Sequence, residues 1–292
     1  MSTDAGSPRG SAPLSPARAM WEAVERVHAY CYTAPEVRSE GSAAGLKGFW
    51  MNYFATRVAP LGPVGPEVVT ATFFYYAEPR IRRAIPDAWT FSSPEAVLAA
   101  RHRAMGAAFE QRLGPATNEV GEAVDLLARA AAACSPIGRV LHAGWAAQPW
   151  PDDPWTALWH GTTVMREYRS GNHLIAVCSE GLDGCEAVVS HAADGGAPAV
   201  WITDEAAWSP AEVEAATARL TARGWLDDGG RITAEGRAGR ERIEALTDRL
   251  DDPVWAAVGA RASQRLFELL SSIASSLPAD DQLDWTEHYP PD

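Results

Sequence analysis

Apolar residues recur at helical spacing along most of the chain, and prolines or glycines interrupt each run. One run covers Met20–Tyr32 and stops before Pro35, and another covers Gly48–Val58 and stops before Pro60. The same spacing predicts helices at residues 66–76, 94–112, 119–134, 155–169, 172–180 and 182–192. The pattern therefore indicates a mainly α-helical protein.

One segment, from about Trp208 to Arg249, suggests a different local structure. A Ser-Pro pair at 209–210 starts a helix that ends near Gly224. The next residues, WLDDGGRIT at 225–233, predict a short strand, a glycine-rich turn and a second short strand. A further helix then runs to about Leu250. This order resembles the recognition helix, wing and following helix of MarR-type regulators.

Three prolines fall within residues 148–154, and they predict a linker because proline disrupts helices. We expect a domain on each side of it and an irregular segment at each end. The expected divisions are a disordered tail at 1–16, an N-terminal helical winged-helix-like domain at 17–147, the linker at 148–154, a C-terminal winged-helix domain at 155–276 and an acidic tail at 277–292.

The two halves share short sequence similarities. GLKG at 45–48 has a counterpart in GLDG at 181–184, and AMW at 19–21 has one in ALW at 157–159, at nearly the same separation. A tandem duplication would give two pseudo-repeated helical, winged-helix halves with a small β-hairpin wing at 225–233. Such a chain would be a monomeric pseudo-dimer or a homodimer. Chance similarity in an alanine- and glycine-rich sequence is the alternative.

Longer blocks carry a second resemblance. GFWMNYFATRVAPLGPVG and REYRSGNHLIAVCSEGLDGCEAVVSHAA, among others between residues 19 and 272, are similar to an actinobacterial helix-turn-helix family of no established activity. This resemblance implies the fold and says little about function.

The charge distribution is unfavourable for nucleic-acid binding. The chain has a formal net charge of -13, whereas DNA-binding proteins neutralise phosphates with Lys and Arg. The candidate recognition helix and wing carry Arg219, Arg223 and Arg231, but acidic residues balance them. Nucleic-acid binding is therefore possible but disfavoured.

Cys31, Cys134, Cys178 and Cys185 form no CxxC pair, which predicts reduced thiols. The N-terminus has no apolar signal-peptide core, and no run of apolar residues could span a membrane, so we expect a cytoplasmic protein. Neither a P-loop nor a Rossmann motif is present, and the sequence predicts no cofactor and no metal.

Polar and aromatic residues that suit a ligand pocket occur in both halves. The residues that could meet a small aromatic or anionic ligand between the halves are His28, Tyr53, Phe54, Arg57, Tyr75, Arg166, His173, Glu186 and His191. An apolar wall with a few convergent polar groups is the usual form of such a pocket. The alternative is that the histidines only form structural hydrogen bonds.

Three functions are compatible with these features. We favour a ligand-binding winged-helix protein with a reduced role in DNA binding. A DNA-binding transcriptional regulator is the first alternative. The second is a specialised-metabolism enzyme that uses His173, Glu186 or His191 in acid–base chemistry.

Overall fold

The structure, a computed structural model, describes residues 15–278, so most of both predicted tails lies outside the described residues. Over this part of the chain every regular element is a helix, which confirms the mainly α-helical prediction. The α-helices are α1 (Pro16–His28), α2 (Pro35–Ala43), α3 (Gly48–Val58), α4 (Pro66–Thr72), α5 (Glu78–Arg82), α6 (Ala88–Phe91), α7 (Pro94–Leu113), α8 (Asn118–Ala133), α9 (Val140–Ala146), α10 (Pro154–Ser179), α11 (Gly184–Ala193), α12 (Val200–Asp204), α13 (Pro210–Ala222), α14 (Ala234–Val258) and α15 (Ala260–Ala274). Short 3₁₀ turns occur at Ala29–Tyr32 and Ala59–Leu61.

Several helices begin at a hydroxyl or carboxylate residue followed by proline. Ser15, Ser93, Asp153 and Ser209 each accept a hydrogen bond from a first-turn backbone N–H. The proline after each has no N–H to leave unpaired and a backbone angle already suited to a helix. The predicted helix start at Ser209 is therefore confirmed.

Helix α10 lies at the centre of the molecule and contacts α1, α7, α8, α9 and α14. The sequence predicts a break at Ser170-Gly171, but α10 is one continuous helix of 26 residues. Gly171 is needed for packing, because a Cβ atom there would lie 2.8 Å from Cγ of Arg139. The predicted break is therefore wrong.

The largest apolar core surrounds α10 and draws on α1, α7, α8, α14 and α15. It includes Met20 and Phe109 from before the predicted linker and Leu158 and Leu270 from after it. A second cluster is formed mainly by α3 to α6, and a third by the end of α10 with α11 to α14. The division into two domains stays a prediction.

The predicted β-hairpin wing at 225–233 is wrong. The segment holds one isolated antiparallel bridge, between Leu226 and Ile232, and no strand occurs anywhere in residues 15–278. The Asp227 carboxylate accepts from the backbone N–H groups of Gly229 and Arg231, at 2.9 and 3.0 Å. This side-chain turn closes the loop within a few residues. Thr233 then caps α14, so the chain becomes helical directly after the bridge. No residues are left to extend the β-ladder beyond it.

Helices α12 and α13 form a short helix, a turn and a second helix, packed against α11. Ile202, Leu220 and Trp225 are buried together in the third apolar cluster. The Trp225 ring lies against Gly239 on α14 and its backbone carbonyl lies against Gly236, so the end of α13 is fixed directly to the start of α14.

The two GLxG segments have similar local structure. Gly45 and Gly181 both have positive φ, at 96° and 71°, and the leucine after each is buried. Each segment leads into a helix, α3 in one case and α11 in the other. These similarities are compatible with the tandem duplication, which stays a prediction.

Gly239→Ala tests the contact between α13 and α14. A Cβ atom at 239 would lie 2.6 Å from Cε2 of the Trp225 ring, so we expect a loss of about 1–3 kcal/mol in the free energy of unfolding. Gly121→Ala in α8 is the matched control, because no atom lies within 4 Å of its added methyl group. That substitution should instead stabilise by about 0.5–1 kcal/mol. Urea unfolding measures both, and equal effects would contradict this packing.

Candidate functional site

A cavity of about 980 Å³ opens between the region around α3 and α4 and the helices α10, α11 and α14. Its walls come from α1, α3, residues 72–76, the start of α9, the middle of α10, α11, residues 194–197, α12 and the first turns of α14. This volume is at the upper end of the range that small-molecule sites occupy.

Six of the nine predicted ligand-binding residues line this one cavity. They are Tyr53, Arg57, Tyr75, Arg166, His173 and His191. They come from segments far apart in the chain, and the fold brings them together. Their role in binding stays a prediction.

The other three predicted residues lie elsewhere. His28 is buried beside the cavity, with its ring nitrogens 3.0 Å from the Thr163 hydroxyl and 3.1 Å from the Tyr32 hydroxyl. Phe54 is fully buried in the second apolar cluster. Glu186 caps α11 and accepts a hydrogen bond from Arg219.

The deeper part of the cavity contains a buried ion network. Arg57 donates from Nε and Nη2 to the two oxygens of Glu167, at 3.0 and 2.9 Å, and from Nη1 to the Tyr53 hydroxyl at 2.7 Å. Arg166 bridges Glu167 and Glu25, at 3.2 Å each. The charges of the two arginines are thus balanced by those of two carboxylates. We call Glu25, Tyr53, Arg57, Arg166 and Glu167 the inner network.

A second polar group, the Arg240 cluster, consists of Tyr75, His173, His191 and Arg240. The Arg240 guanidinium lies 3.0 Å from Nδ1 of His191, and it has no carboxylate partner among residues 15–278. The Tyr75 hydroxyl is buried and also has no hydrogen-bond partner in that part of the chain. The Tyr75 and His173 rings lie 6.2 Å apart.

Tyr75 and the two histidines of this cluster are uncharged at neutral pH. Burial, together with the nearby positive charge of Arg240, lowers the pKa of His173 to about 3. The same two causes lower the pKa of His191. Burial raises the pKa of Tyr75, so its phenol stays protonated. Arg240 is therefore the only charged member of its own cluster.

A glycine pair shapes the wall next to His191. The backbone N–H of Gly196 donates to the His191 carbonyl at 3.0 Å, and a Cβ atom at 196 would overlap the imidazole ring. Gly195 has a positive φ of 84°. The pair allows the chain to turn closely over the histidine, which holds the ring against Arg240.

Three residues that the sequence pattern did not identify also line the cavity: Glu167, Trp201 and Arg240. Glu167 could have been found, because it is the one carboxylate of its helix and lies between two arginines, and a buried carboxylate requires such partners. Arg240 gives no comparable signal, since its helix carries many exposed charged residues.

All the arginines predicted to contact DNA already have hydrogen-bond or ion-pair partners within the protein. Arg219 donates to Glu186 at 2.9 Å and to Asp183 at 2.5 Å. Arg223 donates to the backbone carbonyl of Glu180, and Arg231 pairs with Asp227 at 2.8 Å. The exposed side of α13 that precedes Arg219 carries Glu214, Ala215 and Ala218. None of these three side chains can pair with a phosphate.

Residues 17–284 match the sequence model of a helix-turn-helix family, and the chain belongs to this family. The family resemblance found in the sequence is therefore confirmed at this level. No curated protein and no solved structure matches the chain.

No helix in residues 15–278 is long and apolar enough to cross a membrane. In the same residues, no three His, Cys, Asp or Glu side chains are grouped so that they could hold a metal ion.

Stability should fall as the pH falls from about 7 to about 5. His160 and His173 have pKa values lowered to about 4 and about 3, chiefly by burial. The unfolded chain therefore takes up protons that the folded chain does not, and this loss begins near the ordinary histidine pKa of about 6.5 and continues down to the lowered values. Each such histidine contributes about 1 kcal/mol per pH unit in that interval.

Urea unfolding at the two pH values measures this loss. His160→Leu removes one buried histidine outside the cavity and should reduce the pH dependence without abolishing it. A free energy of unfolding that stays constant or rises on acidification would contradict the expectation.

Proposed function

We propose that this helix-turn-helix protein binds a small anionic ligand with a planar, partly aromatic body in the cavity. The observation that supports this most is Arg240, which is buried at 8% exposure beside the unpartnered Tyr75 hydroxyl. A buried charge requires a partner of opposite charge, and the described residues supply none within ion-pair distance.

Most of the other arginines that line the cavity already have carboxylate partners. Arg57 and Arg166 already share Glu167 and Glu25, and Arg169 is paired with Asp251 at 2.6 Å. These groups keep their own partners when a ligand enters. Arg240 is thus the guanidinium best placed to pair with a ligand carboxylate or phosphate, and arginine binds both through paired hydrogen bonds.

Aromatic side chains supply the apolar walls. Phe73, Tyr76 and Trp201 line the cavity, and the Tyr76 and Trp201 rings lie 5.9 Å apart. A planar ligand could stack against such walls, while the Tyr75 hydroxyl and the remaining imidazole N–H of His191 donate to its anionic group. The enzymatic alternative has less support, because Glu186 lies outside the cavity and is paired with Arg219.

A second candidate is a DNA-binding regulator, which the family membership favours. The segment from α12 to α13 would be the DNA-binding unit, as helix pairs of this kind enter the major groove. Trp225 joins the end of α13 to α14, and α14 also carries Arg240. A ligand on Arg240 would thus act on the helix that holds this unit in place.

Arg240→Gln should weaken binding of aromatic carboxylates by about 2 kcal/mol, or roughly thirtyfold in Kd. The substitution removes the charge and leaves a shorter, neutral polar side chain. Quenching of tryptophan fluorescence measures binding, since Trp21 and Trp201 line the cavity. Benzoate and indole carboxylates serve as probes, and the corresponding amides are the neutral comparison.

Arg242→Gln is the matched control. Arg242 lies two residues away on α14, pairs with Glu180 and Glu235, and does not line the cavity. Its substitution should leave binding unchanged. If no aromatic acid binds the wild-type protein better than its amide does, the proposed function is wrong.

Specific DNA binding should be absent at physiological salt, because Arg219, Arg223 and Arg231 are engaged within the protein. A gel shift with DNA from upstream of the protein's own gene tests this, first at low salt and then at about 150 mM salt. A complex that persists at the higher salt would favour the regulator, provided that Arg231→Gln weakens it and Arg265→Gln on α15 does not.

A further inference from the structure

The hydroxyl groups of Tyr53 and Tyr76 form a pair in the inner part of the cavity. Their oxygens lie 3.2 Å apart, and both residues line the cavity. The Tyr53 oxygen also accepts a hydrogen bond from Nη1 of Arg57 at 2.7 Å. A guanidinium can only donate, so the direction of this bond is certain.

The Tyr53–Tyr76 pair has one hydrogen-bond donor more than the contact between the two hydroxyls uses. Two hydroxyls carry two protons, and their single contact uses one. Whichever hydroxyl donates to the other, one O–H proton has no acceptor among residues 15–278. That proton is available to a ligand atom that accepts a hydrogen bond.

The groups around the Tyr53–Tyr76 pair favour a ligand oxygen that is negatively charged or strongly polarised. Arg57 is held by both oxygens of Glu167, so the guanidinium is fixed behind the Tyr53 hydroxyl and cannot turn away easily. A hydrogen bond from a cation polarises the phenol and makes its own O–H a stronger donor. Burial, reinforced by the neighbouring Tyr53, raises the pKa of Tyr76, which keeps that phenol protonated.

We propose that the ligand carries a carbonyl or phenolic oxygen, and that the Tyr53–Tyr76 pair donates a hydrogen bond to it. This inference rests on the proposed function, since the Arg240 cluster holds the anionic group of the same ligand. The ligand class is thus an aromatic or oxo acid with two oxygen functions. Such a site stabilises the ionised form of a phenol relative to the neutral form.

Two chromophoric acids test this proposal. The probe is the para-hydroxy derivative of meta-nitrobenzoate, whose phenol changes its visible absorbance on ionisation, and meta-nitrobenzoate itself lacks that oxygen. On the wild-type protein the phenol pKa of the bound probe should be at least about one unit lower than in solution, because the tyrosine pair stabilises the phenolate. An absorbance titration of the saturated complex measures the shift.

Substitutions of the tyrosine pair assign the effect. Tyr53→Phe and Tyr76→Phe should each reduce the shift, and the double variant should remove most of it while it still binds both acids. Tyr168→Phe is the matched control, because its buried hydroxyl donates to the Leu250 carbonyl and its side chain does not line this cavity. Circular dichroism shows that each variant is folded.

The outcomes separate the two proposals. Binding of both acids with no shift in the phenol pKa, or with a shift that survives in the double variant, overturns this inference alone. Binding of neither acid overturns the proposed function and this inference with it. A shift that the double variant loses, although it still binds both acids, supports both.

Discussion

The buried ion pair between Arg57 and Glu167 is the constraint around which the cavity is built. Glu167 has no exposed side-chain area, and a carboxylate in that position is very costly without partners. Removing one member of such a pair typically costs about 3–5 kcal/mol, because the other charge stays buried. The pair fixes α3 against α10, and it directs the third donor of Arg57 to Tyr53. The deeper wall of the cavity therefore depends on it.

The helical architecture follows closely from the sequence pattern. Helix starts such as Ser209 are encoded locally, by a capping side chain and a proline, and α3 matches its predicted limits. The prediction of a β-hairpin wing was wrong because the spacing of apolar residues does not show which acceptors the backbone N–H groups will bond to. The Asp227 carboxylate takes two of them, and the loop closes without a ladder.

Much of the candidate site could also be inferred, since aromatic and cationic residues in both halves suggested a pocket, and Tyr53, Arg57 and His173 do line one. What could not be inferred is which charges are already neutralised. Arg166 and Arg240 look equivalent in the sequence, yet one meets two carboxylates and the other meets a neutral histidine. That difference arises from packing between distant helices. Gly171 shows the same limitation. The sequence does not reveal that the absence of a side chain at 171 allows Arg139 to pack closely against α10.

Helix α10 contributes Glu167 to the inner network and His173 to the Arg240 cluster, six residues further along. At a rise of about 1.5 Å per residue, these positions are about 9 Å apart along the helix axis. The distance between the two polar ends of the cavity is thus set by a continuous, buried helix rather than by flexible loops. A ligand that engages both ends must have a matching length, so the cavity should discriminate among homologous acids by the number of atoms between their oxygen groups.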